Sequence, residues 1–161
     1  CEYAKYHGKC SEGGSDYGAI NKERQRLIDE LRNYYMPVKY RTKLDKGLLD
    51  EVVMNIQNSA TKTFEHCLAI CNKTLNVKTV EQWLILKEDL LKAMVKELPL
   101  KAEHCYFCML RDLRNETCEE CEYREYHGYC GDSMLSTYGR IIVAKYCLLT
   151  ALDNYYRGEK Y

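Results

Sequence analysis

Proline occurs only twice and glycine nine times in the 161 residues, too few for a collagenous or low-complexity chain. No apolar run approaches the ~18–20 residues that a membrane-spanning helix needs, so no membrane partner is expected. Net charge is also lacking, because 24 Lys and Arg balance 24 Asp and Glu. A general binder of phosphate backbones would carry a basic surplus. Enzyme signatures are missing as well. There is no P-loop, no Gly-x-Ser-x-Gly, no His-Glu-x-x-His and no dinucleotide fingerprint, and a redox C-x2-C enzyme would want a strand-rich context that the pattern does not offer. The reading therefore leans away from an enzyme. The chain opens on Cys1, with no initiator Met, no basic-then-apolar leader and no targeting motif. It is expected to be a processed form, a fragment or a chain lacking its first residues.

What is present is 46% apolar and 30% charged residue, a balance that excludes a disordered tail. A chain of this size buries roughly 70% of its unfolded surface and can sustain its own core. Two excesses stand out, 10 Cys and 15 Tyr against 2 Phe.

The strongest pattern is an internal repeat. Residues 1–10 read CEYAKYHGKC and residues 121–130 read CEYREYHGYC, identical at seven of ten positions. With one extra residue in the second loop, Tyr17-Gly18 corresponds to Tyr138-Gly139, Ile20 to Ile141, Leu31 to Leu152, and Asn33-Tyr34-Tyr35 to Asn154-Tyr155-Tyr156. Each copy, about 1–36 and 121–156, is a Cys/His loop feeding a helix. Two copies are too few for a solenoid, so a pseudo-symmetric single domain over 1–161 is expected.

Apolar spacing predicts four main helices. The first carries Ile20, Leu27, Leu31 and Tyr34 and stops at Pro37; the second runs from about Leu44 to Leu75 with Val52, Ile56, Ala60, Phe64, Cys67 and Cys71 in its stripe. The third, Val80 to Leu98, has Trp83, Leu84, Leu90, Leu91, Met94, Val95 and Leu98 as its expected buried face. The last runs from about Ser136 to Tyr156 on Ile141, Ile142, Leu148, Leu149 and Leu152. Residues 1–16, 37–43 and 111–135 read as loops. The expected fold is an all-α bundle with Cys/His-rich loops at one end.

Those loops carry the chemistry. A C-x2-C turn aims two thiolates at one ion, and Cys105/Cys108 and Cys118/Cys121 are two such turns. Together they could supply a four-thiolate site. Cys118, Cys121, His127 and Cys130 form an equally good set of three thiolates and one imidazole, similar to a zinc knuckle in ligand type but not in spacing. Cys108, Cys118, Cys121 and Cys130 could instead ligate a 4Fe-4S cluster, which prefers an all-thiolate shell. This set loosely resembles the cluster loops appended to helical DNA-repair enzymes, with different intervals and no catalytic signature beside it. The His in each loop tilts the choice to zinc. In the first copy Cys1, His7 and Cys10 are the equivalent candidates, and the repeat implies a Cys upstream of Cys1 to match Cys118. Cys67 and Cys71 share a helical face and could complete that set, although their place in an apolar stripe favours packing. Cys147 reads as a packing residue. In the two Glu-His-Cys triplets at His66 and His104, only one of each His/Cys pair can face a common ion.

The tyrosines are expected to build a polar-rimmed core around the Cys loops. Lys39, Tyr40, Arg41 and Lys43, with Lys46, are the best candidate nucleic-acid patch, but a solvated linker is the favoured fate of this stretch because Glu116, Glu119, Glu120, Glu122 and Glu125 make the neighbouring loop acidic. Paired C-x2-C units favour an intracellular, reducing compartment. Even cysteine number and the acceptor triplets at Asn72 and Asn115 keep a secreted disulfide scaffold as an alternative. The favoured function is a non-enzymatic, zinc-stabilised helical module that contacts another protein. The alternative of another class is an iron–sulfur protein with a redox or electron-transfer role.

Overall fold

The computed structural model describes residues 8–9, 14–35, 38–132 and 134–156. These are all-helical, with no strand among them and six α-helices: α1 Asp16–Tyr34, α2 Lys46–Lys73, α3 Val80–Lys96, α4 Tyr106–Arg114, α5 Glu122–His127 and α6 Thr137–Tyr156. Short 3-10 turns, Thr74–Asn76 and Ala102–His104, follow α2 and precede α4. The four long helices are where apolar spacing places them. The region 111–135, expected to be loop, contains the end of α4 and all of α5. These pieces are too short to display a helical period, but their stops are legible: α4 ends on Asn115 in the left-handed region and α5 on Gly128 at φ 78°.

The starts of the long helices follow from polar caps. Ser15 Oγ accepts the Gly18 N–H at 3.0 Å, Asp45 Oδ1 the Leu48 N–H at 3.1 Å, and Thr79 Oγ1 the Gln82 N–H at 3.3 Å. Ser136, fully buried, accepts the Gly139 N–H at 2.8 Å and donates to the Asp132 carbonyl at 2.7 Å. Each such cap satisfies a helix-terminal donor and is worth about 1 kcal/mol.

The core lies where α6 meets α1 and α3. Leu27, Leu100, Ile141, Ala144, Leu148 and Leu152 form its buried centre, with Ile20, Leu31, Leu91, Val95 and Leu98 packed around it. α1 and α6 run antiparallel. Glu30 near the end of α1 pairs with Arg140 at the start of α6 at 3.0 Å, and Arg26 reaches the Cys147 sulfur at 3.6 Å. Lys92 of α3 pairs with Asp153 of α6. α2 and α3 form a helical hairpin, and α2 also packs against α4.

Among the described residues, two pairs of positions matched by the sequence repeat have similar local geometry. Gly8 has φ 74° and the site of its missing Cβ lies 3.2 Å from Ser15 Cβ; Gly128 has φ 78° and meets Ser136 Cα at 3.1 Å. Both serines cap the following helix. Tyr34–Tyr35 and Tyr155–Tyr156 make the same edge-on ring contact, at 4.8 Å and 80° and at 4.6 Å and 81°. Cys1, His7 and Cys10 lie outside the described residues.

The expected stripes of α2 and α3 are only partly core. Val52 is buried and Ile56 half-buried, but Ala60, Phe64 and Cys71 are exposed, as are Trp83, Leu84 and Met94 on α3. Toward its tip the hairpin packs chiefly against itself, so apolar residues there keep their helical spacing and still face solvent.

Candidate metal centre

Five thiols lie on three separate turns, and Cys105, Cys108 and Cys130 of them line a cavity beside the C-terminal end of α1. Cys105 is the N-cap of α4 and Cys108 sits in its first turn; Cys118 follows the left-handed Asn115; Cys121 is the N-cap of α5; Cys130 follows Gly128. All five are half-buried, and all eight cysteines among the described residues are free thiols. Cys105, Cys108 and Cys130 line one cavity of about 490 Å³ together with Tyr34, Tyr123 and Tyr138. Cys121 lines an adjoining crevice with Arg111, Glu120 and Glu122.

The Cys105 thiol is pushed down to about 6, first by a hydrogen bond from the Cys108 thiol and then by the backbone N–H groups of Cys108 and Phe107 and the Tyr34 hydroxyl. These donors stabilise a thiolate at a helix N-terminus. The same bond, together with burial, pushes Cys108 up. Cys130 is pushed up to about 11 by burial and by the thiolate charge that Cys105, Cys121 and Cys118 would bring. Tyr34 is likewise raised by burial and by Cys105. Charge on one sulfur thus opposes charge on the next, a conflict that a bound cation relieves. Arg111 already answers part of it, donating to the Cys118 sulfur at 2.7 Å. Among the described residues, no three Cys, His, Asp or Glu side chains converge closely enough to hold a metal ion as they stand.

His127 is committed elsewhere. It is buried, its Nε2 lies 2.7 Å from the Tyr40 hydroxyl, and its ring stacks on Tyr123 at 4.3 Å and 13°. Burial pushes its pKa down. Only Nδ1 remains for an ion. His104 lines the thiol cavity and its Nδ1 accepts the Lys101 N–H at 3.3 Å. Cys67 and Cys147 are half-buried and Cys71 is exposed; they stand on α2 and α6.

The basic connector is not a free linker. Arg41 pairs with Glu122 and Glu125, the Thr42 N–H donates to Glu122 at 2.8 Å, and the Asp45 N–H donates to the Tyr106 hydroxyl at 2.7 Å. The acidic loop and the basic stretch thereby neutralise each other in part, while Lys39, Arg41 and Lys43 are exposed. Glu122 is held down to about 2, first by the Thr42 hydroxyl, then by the backbone N–H groups of Arg41 and Thr42 and the Arg41 side chain. A depressed carboxylate stabilises the fold above its unfolded range and loses that contribution as the pH falls toward 2. Glu122→Gln should therefore free the connector at every pH. Hydrogen exchange of the 38–45 amides should speed up in the variant at pH 7. Unchanged protection would show that the carboxylate does not pin this segment.

Arg111 is a site residue that motif reading does not nominate, and Tyr34 and Tyr40 are expected around the Cys loops without named partners. Tyr34 and Tyr40 approach from 71 and 87 positions away, as measured by their Cys105 and His127 partners. No family model matches this chain, and no curated protein or solved structure matches it significantly.

Proposed function

We propose that this protein is a non-enzymatic helical module whose thiol-rich end is fastened by a metal ion, with zinc preferred, and whose exposed apolar surface contacts another protein. The observation that supports the metal reading is that Cys105, Cys108 and half-buried Cys130 line one cavity, with Cys118 and Cys121 on the turns beside it, in a stretch that has no regular ladder of its own. Zinc takes tetrahedral thiolate sets of this kind, and the ion would offset the ordering entropy of residues 115–135. Free thiols at the described positions fit a reducing, intracellular setting. The shared Gly–Ser arrangement of the two copies supports a duplication, in which Cys1, His7 and Cys10 form a second candidate set.

The test is elemental analysis of anaerobically purified protein beside its visible spectrum. About one equivalent of zinc or more and no visible absorbance is the expected result. Because His127 is bound to Tyr40, an all-sulfur shell is also available to an iron–sulfur cluster. Charge-transfer absorbance with bound iron would replace the zinc reading by that one, and metal-free protein would end both.

A further inference from the structure

The thiol cavity of about 490 Å³ is also bounded by the connector after α1, by α2 and by the turn before α4. Seven of the eighteen residues that line it are aromatic, and Val52 and Ile56 of α2 add aliphatic wall, so its size and chemistry are those of a small-molecule site. The hydroxyls of Tyr40, Tyr106 and Tyr123 are bonded to protein, at 2.7 Å to His127 Nε2, at 2.7 Å to the Asp45 N–H and at 2.9 Å to the Thr137 hydroxyl, and the Tyr138 hydroxyl donates to the Leu100 carbonyl. These rings therefore offer a ligand carbon and no free hydroxyl. His104 differs from them. Its side chain is 2% exposed and lines the same cavity. Its Nδ1 accepts the Lys101 N–H at 3.3 Å, so the ring hydrogen is on Nε2. That Nε2 has no hydrogen bond among the described residues, and the nearby Glu103 Oε1 stands off at 3.7 Å. A buried donor without an acceptor is costly, and folded proteins seldom keep one without a reason.

We propose that this cavity binds an uncharged aromatic carbonyl compound, its flat ring held among the tyrosine and phenylalanine rings and its carbonyl oxygen accepting from His104 Nε2. This goes beyond the reading above and leaves the thiols to the metal. Three features select the ligand. The first is the wall, because aromatic side chains take a flat ring in offset or edge-on contact. The second is the single buried donor, which calls for one acceptor on an otherwise apolar molecule. The third is charge. Lys101 is the one Lys, Arg, Asp or Glu among the described residues that line the cavity; its side chain is 71% exposed and its ammonium pairs with Glu103 at 3.8 Å. It supplies no unpaired cation inside. The sulfurs of Cys105, Cys108 and Cys130 on the same wall are weak acceptors and give an anion nothing to bind. A charged ligand would therefore lose its hydration without a partner.

Titration calorimetry of the full chain with three probes of one shape tests the proposal: β-acetylnaphthalene, β-ethylnaphthalene and β-naphthoate. The ketone should bind saturably, one per chain. The hydrocarbon, which lacks the acceptor, should bind about tenfold more weakly or worse, and the carboxylate more weakly than the ketone. His104→Phe keeps a ring and removes the donor; it should cost the ketone about tenfold and leave the hydrocarbon unchanged. Ile56→Trp fills the cavity from α2 and should weaken both. Tyr146→Lys, at an exposed site on α6, should alter neither. Far-UV circular dichroism checks that each variant stays folded, and the three-probe comparison on the wild type needs no variant at all. Absence of saturable ketone binding, equal affinity for ketone and hydrocarbon, tighter binding of the carboxylate, or indifference to both cavity variants overturns the proposal. Metal content measured on the same samples separates this failure from failure of the metal reading, since ketone binding to metal-free protein upholds the one and ends the other.

Discussion

Ile141→Ala should lower the stability of the folded chain by about 3 kcal/mol. Ile141 has no exposed surface and lies near the start of α6, in one buried cluster with Leu27 of α1, Leu100 and Leu148 about two turns further on. Removing its outer methyl groups loses their transfer free energy and leaves a cavity that close-packed helices cannot collapse into; truncations of this kind cost about 2–5 kcal/mol. For a domain of this length about 2–4 °C of melting temperature accompanies each kcal/mol. A drop of roughly 6–12 °C is therefore expected in a thermal scan, with helix content at 20 °C unchanged. Leu113→Ala, exposed on α4, should stay within about 0.5 kcal/mol of wild type. Equal effects of the two substitutions would mean that α6 does not organise the core.

The contrast between these residues marks what a linear sequence carries. The period that identifies α6 also identifies α2, because Ile141, Leu148 and Leu152 fall at helical intervals as Val52, Ile56 and Phe64 do. Periodicity reports that a helix has an apolar face; it does not report what covers that face. On α6 the cover is α1 and α3. On α2 it is partial, so Phe64 and Cys71 share the stripe of Val52 and yet face solvent. The cysteine spacing points to turns of which Cys105, Cys108 and Cys130 share one cavity, while among the described residues no three potential ligands converge. It could not supply Tyr34, Arg111 or Tyr40, whose hydrogen bonds to Cys105, Cys118 and His127 arise only from packing α1, α4 and the connector together. His127 shows the limit most plainly: three residues before a Cys it reads as a ligand, and a tyrosine 87 positions away occupies its Nε2.

Cys130→Ser should release the metal from the proposed centre. Burial first, and then the charge that Cys105, Cys121 and Cys118 would bring, push the Cys130 thiol up to about 11. A divalent cation reverses the conflict by making each thiolate a ligand. A Ser hydroxyl at the same place is a poor ligand for a soft-sulfur site, and it leaves Cys105 and Cys108 with a gap on the shared cavity. Metal content per chain should fall well below wild type in Cys130→Ser and in Cys121→Ser, and stay at the wild-type level in Cys147→Ser, whose sulfur faces Arg26 between α1 and α6. Far-UV circular dichroism should change little in any of them, because the helices pack through Leu27, Ile141, Leu148 and Leu152 and not through the thiols. A chelator added at pH 7 should lower the melting temperature of the wild type and of Cys147→Ser, but not lower that of Cys130→Ser further, since the two perturbations remove the same interaction. Full metal retention in both Cys130→Ser and Cys121→Ser would remove these residues from the centre.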